Sequence, residues 1–268
     1  MSSNKPSKPA PANLNSLFKS AQDDGTLSAK SAKSLNVVDL GAQIQAGLGV
    51  DVDDVESSEV VLVTLMPDDS GSIRFGGNAQ AVRDGHNLVL ESLAQCKQKD
   101  DIFVHNRYLN GDVLYPYTPL DSATKMDTIN YNPNKGTPLY DQTVVLLATV
   151  LAKSQQFTDN GVPVRTITLI ISDGADVCST RAAPRHVAAL VKDMLRAENH
   201  IIAAMGIDDG DTDFHRVFSD MGIPAEWILT PGNSSSEVRK AFQVFSQSAV
   251  RASQTASFSK TALGGFVN

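Results

Sequence analysis

The hydrophobic pattern of the chain alternates between short apolar runs and longer segments in which apolar residues recur every three to four positions. Near-continuous apolar runs at residues 60–65 and 167–171 are typical of strands that are buried on both faces of a parallel sheet. Segments 79–97, 139–153 and 184–199 have the spacing of helices. Strands that alternate with helices predict an α/β domain: a doubly wound, mostly parallel, Rossmann-like sheet with helices on both faces.

One pair of strands is expected to run antiparallel. Asn110 and Gly111 lie between two β-rich runs at residues 101–109 and 112–118. An Asn-Gly pair in this position favours a tight hairpin. Pro116 cannot donate a backbone hydrogen bond inside a sheet, so the second run is predicted to be an edge strand.

Other segments flank this domain. Residues 1–13 contain Pro, Ser, Lys and Ala and are predicted to be a disordered tail. Residues 14–57 are predicted to form a small helical N-terminal extension and an acidic linker, and residues 253–268 a flexible C-terminal tail. The α/β domain then occupies residues 58–252. Apolar side chains in the extension need a partner surface, which is either this domain or another protein.

Composition narrows the classes of function. The 268 residues are 41% hydrophobic and carry a net charge of −7 without a basic stripe, which argues against a nucleic-acid partner. The longest apolar run, residues 144–151, is far shorter than the ~18–20 residues that a membrane span requires. Cys96 and Cys178 belong to no metal-binding or redox motif. We therefore expect free thiols in a cytoplasmic protein without a membrane partner.

The first apolar strand is followed by a cluster of oxygen-bearing side chains. Asp68, Ser70 and Ser72 alternate with other residues along one turning segment. Carboxylate and hydroxyl oxygens at this spacing suit a small divalent cation such as Mg²⁺. Because Asp, Ser and Gly are also common in turns for backbone reasons, this segment alone is equally compatible with a plain polar turn.

Two later segments favour the metal site. Thr137 ends a long polar loop, residues 120–136, that leads into an apolar helix, and long loops in compact domains usually serve a site. Asp173 follows the second apolar strand directly, as Asp68 follows the first. In doubly wound sheets, ligands bind beyond the carboxyl ends of the strands, where the strand order reverses. The two carboxylates converge if their strands are neighbours at that reversal.

Together these segments resemble the metal-ion-dependent adhesion site of von Willebrand factor A domains. The family pattern is Asp-x-Ser-x-Ser, then a distant Thr in a Gly-Thr-Pro context, then Asp-Gly after a hydrophobic strand, and every liganding position is filled here. The resemblance covers residues 58–250. In size and layout the chain is similar to intracellular bacterial single-domain members of tellurite-resistance and stress operons. It departs from the usual pattern at Pro67, at Lys135 in place of Gly, and in its additional residues 1–57.

The resemblance implies a set of metal ligands: Asp68, Ser70, Ser72, Thr137 and Asp173. The metal would be Mg²⁺, with Mn²⁺ or Ca²⁺ as substitutes. The two serines would contact it directly, the threonine directly or through water, and the two aspartates mostly through water. A partner carboxylate would fill the open position. The implied role is non-enzymatic protein binding, with a kinase, a phosphatase or an AAA-type ATPase of the same operon as the partner.

Three alternatives belong to other classes of function. A Mg²⁺-dependent phosphatase of the haloacid-dehalogenase type would need a second Asp where Ser70 stands, so the general acid is missing. A serine hydrolase would need a Gly-x-Ser-x-Gly segment, which the chain lacks. A structural scaffold with a vestigial metal site remains, although the filled ligand positions argue against it.

Overall fold

The structure is a computed structural model that describes residues 12–35, 37–254 and 264–266. Eight α-helices and six strands lie in these ranges. In chain order they are α1 (Leu14–Asp23), α2 (Ala29–Ala32), α3 (Val37–Leu48), β1 (Val60–Met66), α4 (Asn78–Leu93), β2 (Ile102–Arg107), β3 (Val113–Pro119), α5 (Leu139–Asp159), β4 (Val164–Ser172), α6 (Pro184–Arg196), β5 (His200–Gly206), α7 (Phe214–Asp220), β6 (Ile228–Leu229) and α8 (Ser235–Gln254).

The six strands form one sheet in the order β3-β2-β1-β4-β5-β6. All neighbouring pairs are parallel except β2–β3, which is antiparallel and places β3 at the edge. This confirms the predicted fold class. Every residue of β1 is buried, as expected for a central strand that is covered on both faces. The chain continues from β1 to β2 on one side and later returns to β4 on the other, so the strand order reverses between β1 and β4.

Several element boundaries differ from the sequence-based expectation. Helix α5 continues to Asp159 because its last turns pack against α1: Gln155 Nε2 donates to Asp24 Oδ2 at 2.8 Å and to Ser20 Oγ at 3.3 Å. Strand β6 has only two residues, and the segment before it, Ala225–Trp227, forms a 3₁₀ turn directly after Pro224.

The N-terminal extension packs on the α/β domain, which resolves the alternative that the sequence left open. Leu17, Phe18 and Ile44 are buried in the same core as the central strands and α5. The junction after α3 lies against the edge strand, where Val50 N donates to Tyr117 O at 2.9 Å. The extension thus supplies part of the core.

The C-terminal region is ordered at two places where a flexible tail was predicted. Ser253 lies within α8, which ends at Gln254. The ring centroids of Phe266 and Trp227 are 5.2 Å apart, and Phe266 N donates to Glu226 O at 3.1 Å. An aromatic contact and a backbone hydrogen bond therefore join residues 264–266 to the turn before β6. The rest of that prediction, and all but two residues of the predicted N-terminal tail, lie outside the described residues.

Two further observations concern the helices and the cysteines. Within the described ranges, no helix combines the length and the apolar character that crossing a membrane requires. Cys96 is buried and Cys178 is exposed, and both are free thiols, as predicted.

Buried histidines make the stability of the fold depend on pH. Burial lowers the pKa of His200 from 6.5 to about 4. Between these values the unfolded chain binds a proton that the folded chain does not, so the free energy of unfolding falls as the pH drops, by about 3 kcal/mol in total. We expect urea unfolding at about pH 7.5 and about pH 5 to show a smaller pH-dependent loss for His200→Gln than for the wild type. An equal loss in both proteins would contradict this assignment.

Candidate metal centre

Three loops meet at the carboxyl ends of β1 and β4. The first loop (residues 67–77) follows β1, the second loop (residues 120–138) precedes α5, and the third loop (residues 173–183) follows β4. Since β1 and β4 are hydrogen-bonded neighbours at the reversal of strand order, the first and third loops begin side by side. The carboxylates of Asp68 and Asp173 therefore converge, because their strands are neighbours at this reversal.

Three side-chain oxygens of the first and third loops form a compact triangle. Ser70 Oγ lies 2.9 Å from Ser72 Oγ, and both hydroxyls donate to Asp173 Oδ1, at 3.1 Å and 2.9 Å respectively. Ser70 and Asp173 are buried, whereas Ser72 is exposed. The triangle therefore has one side open to solvent. We call it the oxygen triangle.

Asp68 lies beneath the oxygen triangle and joins the two loops. Its Oδ1 accepts a hydrogen bond from Ser70 N at 2.7 Å, and its Oδ2 accepts from Ser172 Oγ at 2.9 Å and from Asp173 N at 3.4 Å. Tyr131 of the second loop donates its hydroxyl to Asp68 O. The carboxylate is fully buried and fixes the positions of the residues around it.

Thr137 approaches this cluster through the backbone. Two residues before it, Lys135 forms a parallel bridge with Ser70, and Gly71 N donates to Lys135 O at 3.2 Å. Thr137 O accepts from Val177 N of the third loop at 3.2 Å. The Thr137 side chain is buried, but among the described residues its hydroxyl makes no hydrogen bond to the four other predicted ligands. The structure brings Asp68, Ser70, Ser72 and Asp173 into one network and holds Thr137 beside it.

Sequence reasoning missed the part that Asp69 plays. Its side chain is buried and accepts from Asn110 N at 3.0 Å. Its backbone oxygen accepts from Asn134 N at 2.9 Å and Lys135 N at 3.0 Å, which fastens the second loop to the first. Burial raises the pKa of Asp69 to about 7. In the sequence, only its position next to Asp68 pointed to a role, because the hydrogen bonds that it accepts come from residues 110, 134 and 135.

The electrostatics of the centre favour a positive charge. Burial raises the pKa of Asp68, and burial together with the nearby Asp68 raises that of Asp173 to about 6. None of the ion pairs in the described ranges joins Asp68, Asp69 or Asp173 to a basic side chain. Buried carboxylates without a cationic partner are costly, and a bound cation relieves that cost.

The dimensions of the oxygen triangle fit a small cation. Adjacent ligands of an octahedral Mg²⁺ at 2.0–2.1 Å are separated by ~2.8–3.0 Å. The observed edges of 2.9, 2.9 and 3.1 Å lie close to this range. Within the described ranges, no cluster of three or more His, Cys, Asp or Glu side chains could hold a metal. The oxygen triangle is not such a cluster, because two of its three oxygens are serine hydroxyls. Ser70, Ser72 and Asp173 are the residues that would hold a small divalent cation.

Known proteins resemble this chain in fold. No protein-family model and no curated protein matches its sequence. Among solved structures, the pilus adhesin SpaC from Lactobacillus rhamnosus GG is similar with a TM-score of 0.53 and 13% identity, over 73% of this chain and 31% of the adhesin. The chain thus spans less than a third of the length of that protein.

Other similar structures have lower scores. The VWA domain of SpRpn10 has a TM-score of 0.47 and 12% identity, over 68% of this chain and 93% of that domain. The manganese-loaded TRAP protein of Plasmodium vivax has a TM-score of 0.43 and 16% identity, over 68% of this chain and 72% of that one. At such identities a likeness concerns the fold alone, and the conclusion is that the chain shares its α/β fold with a segment of SpaC.

Proposed function

We propose that the protein is a non-enzymatic interaction module of the von Willebrand factor A type, which binds a carboxylate of a protein partner through Mg²⁺. The oxygen triangle is the observation that carries this proposal. It offers hydroxyl and carboxylate oxygens at Mg²⁺ spacing, at the reversal of strand order, with one side open to solvent. A cation held mostly by neutral hydroxyls keeps positive charge, which attracts an acidic group.

The residues around the triangle favour docking over catalysis. The position that a phosphatase of the haloacid-dehalogenase type fills with its second Asp is Ser70, whose hydroxyl points at Asp173. The remaining acid of the first loop, Asp69, is buried and accepts a backbone hydrogen bond from Asn110. Neither group is placed as a free general acid beside the triangle.

Exposed apolar side chains on the same three loops support a protein partner. The exposed large hydrophobic residues of the described ranges are Phe75 (72% exposed), Ile129 (89%) and Val177 (75%), one on each loop. Phe75 follows Arg74, whose Nε donates to Pro133 O of the second loop, and Val177 N donates to Thr137 O. We call these three side chains the apolar rim. Large exposed apolar side chains near a binding centre are candidates for contact with a protein partner.

The partner would therefore present an acidic side chain flanked by apolar ones. The acid would complete the coordination of the metal, and the flanking residues would cover the apolar rim. By resemblance to intracellular relatives, we propose a cytoplasmic kinase, phosphatase or AAA-type ATPase of a bacterial stress or defence system as the partner.

Affinity capture from a lysate of the source cells tests the proposal. The wild type should retain a defined set of proteins with Mg²⁺ present and lose them when a chelator is added. Asp173→Asn should fail to retain them because it removes the anionic oxygen of the triangle. The triple variant Phe75→Ser/Ile129→Ser/Val177→Ser should retain them at least tenfold less, since it loses more than 1.4 kcal/mol of apolar contact.

Asp100→Asn, at an exposed position outside the three loops, is the matched control and should behave as the wild type. Retention that is unaffected by the chelator and by Asp173→Asn would contradict a metal-dependent interaction. Hydrolysis of a generic phosphate ester that requires Mg²⁺ and is lost in Asp68→Asn would favour the phosphatase alternative instead.

A further inference from the structure

A cavity of about 700 Å³ lies between the N-terminal extension and the α/β domain, away from the oxygen triangle. One wall is formed by α2 and α3, and the other by α5, the end of the third loop and the start of α6. Leu40, Val144 and Val145 give it an apolar part. Volumes of about 300–1,000 Å³ are typical of sites for small organic ligands.

Basic side chains gather around this cavity in an otherwise acidic protein. They are Lys30, Lys33, Arg181 and Arg185, which we call the basic rim. A shallower groove of about 600 Å³ continues from Lys30 and Arg185 to Lys192. None of the ion pairs in the described part of the chain includes a member of the basic rim. Unpaired cations around one concave surface repel each other and attract an anion.

The two carboxylates that line the cavity do not remove this preference. Asp141 accepts hydrogen bonds from the backbone N–H groups of Thr180 at 2.9 Å, Arg181 at 3.1 Å and Ala182 at 2.6 Å. It is therefore engaged in holding the third loop. Asp39, the second carboxylate, lies in the first turn of α3. Four cations thus face two acids, one of which already has three donors.

Uncharged polar groups in the wall add hydrogen-bonding capacity. Gln142 is 8% exposed, and its Nε2 donates to Gln43 Oε1 at 3.1 Å. Its Oε1 is buried and has no hydrogen-bond partner among the described residues. His186 Nδ1 accepts from Ala183 N at 3.1 Å, so Nε2 of the ring is a donor.

We propose that this cavity binds a phosphorylated small molecule of nucleotide size. Arg181 and Arg185 hold the phosphate, because guanidinium groups match phosphate oxygens in a bidentate manner. The uncharged part of the ligand packs against the apolar wall. The proposal does not depend on the metal centre.

Calorimetric titration in buffer with a chelator tests this site without interference from the metal. The probes are ATP, ribose 5-phosphate, inorganic pyrophosphate and adenosine, each up to about 1 mM. We expect saturable binding of at least one phosphorylated organic probe, weaker binding of pyrophosphate and none of adenosine. Arg181→Ala/Arg185→Ala should weaken the binding at least tenfold, and both arginines are exposed, so the fold should persist.

Lys97→Ala/Lys240→Ala removes the same number of charges at exposed positions elsewhere and should bind as the wild type does. Asp173→Asn should also bind normally, which separates this proposal from the proposed function. Absence of saturable binding of every phosphorylated probe, or equal binding by the arginine variant, would overturn the assignment.

Discussion

Asp173→Asn is expected to stabilise the metal-free protein and to abolish its stabilisation by Mg²⁺. Asparagine keeps an acceptor oxygen for Ser70 and Ser72 but removes a negative charge that is buried beside Asp68. Without metal, the variant should gain about 1–2 kcal/mol in the free energy of unfolding. The wild type should gain about 2.7 kcal/mol when Mg²⁺ is present at about one hundred times its Kd. Thermal unfolding with and without Mg²⁺ measures both effects.

The exposed Asp100→Asn substitution is the control for removal of one charge and should leave both effects unchanged. A variant at residue 173 that is stabilised by Mg²⁺ as much as the wild type would place the metal elsewhere. A wild type that does not respond to Mg²⁺ or Mn²⁺ would instead favour the vestigial scaffold.

Gly49→Ala is expected to cost more than ~3 kcal/mol in the free energy of unfolding. Gly49 has a φ of +65°, and a Cβ at this position would lie 1.9 Å from Tyr117 O. The clash is with backbone of the edge strand, so no side-chain rotation relieves it. It also falls beside the hydrogen bond from Val50 to the same oxygen. Urea unfolding followed by circular dichroism measures the loss.

Gly25→Ala separates the clash from the strain of a left-handed backbone. Gly25 has a similar φ of +74°, but nothing lies within 4 Å of the position of its Cβ. This control should cost about 1 kcal/mol, the usual effect of a side chain at positive φ. Equal losses in the two variants would mean that contact with Tyr117 contributes nothing.

The sequence predicted the sheet, and it predicted that Asp68 and Asp173 lie close together, because both features depend on short segments. Asp68 and Asp173 each follow a strand that is identifiable from its apolar residues, and parallel strands bring their carboxyl ends together. The roles of Asp69 and Tyr131 were not predicted, because both residues act through contacts with segments that are distant in sequence. Local pattern carries no information about such contacts.

The packing of the N-terminal extension and the position of the cavity also depend on long-range contacts, which the local sequence pattern does not predict. The apolar positions of α1 and α3 predicted that a partner surface exists, but only tertiary structure identifies it as α5 and the edge strand. The basic rim could not be predicted from the sequence, because Lys30 and Arg185 belong to segments more than one hundred residues apart. No run of neighbouring basic residues along the chain marks its position.

The contact between Val50 and Tyr117 also bears on polymerisation. An outermost strand with free N–H and C=O groups is a template on which a second molecule can add its own strand. Here Val50 N, just after α3, already donates a hydrogen bond to Tyr117 O of β3. At the opposite edge, β6 offers only two residues for such an addition. Proteolytic loss of the first three helices would therefore open a growth point for strand-by-strand aggregation as well as weaken the fold.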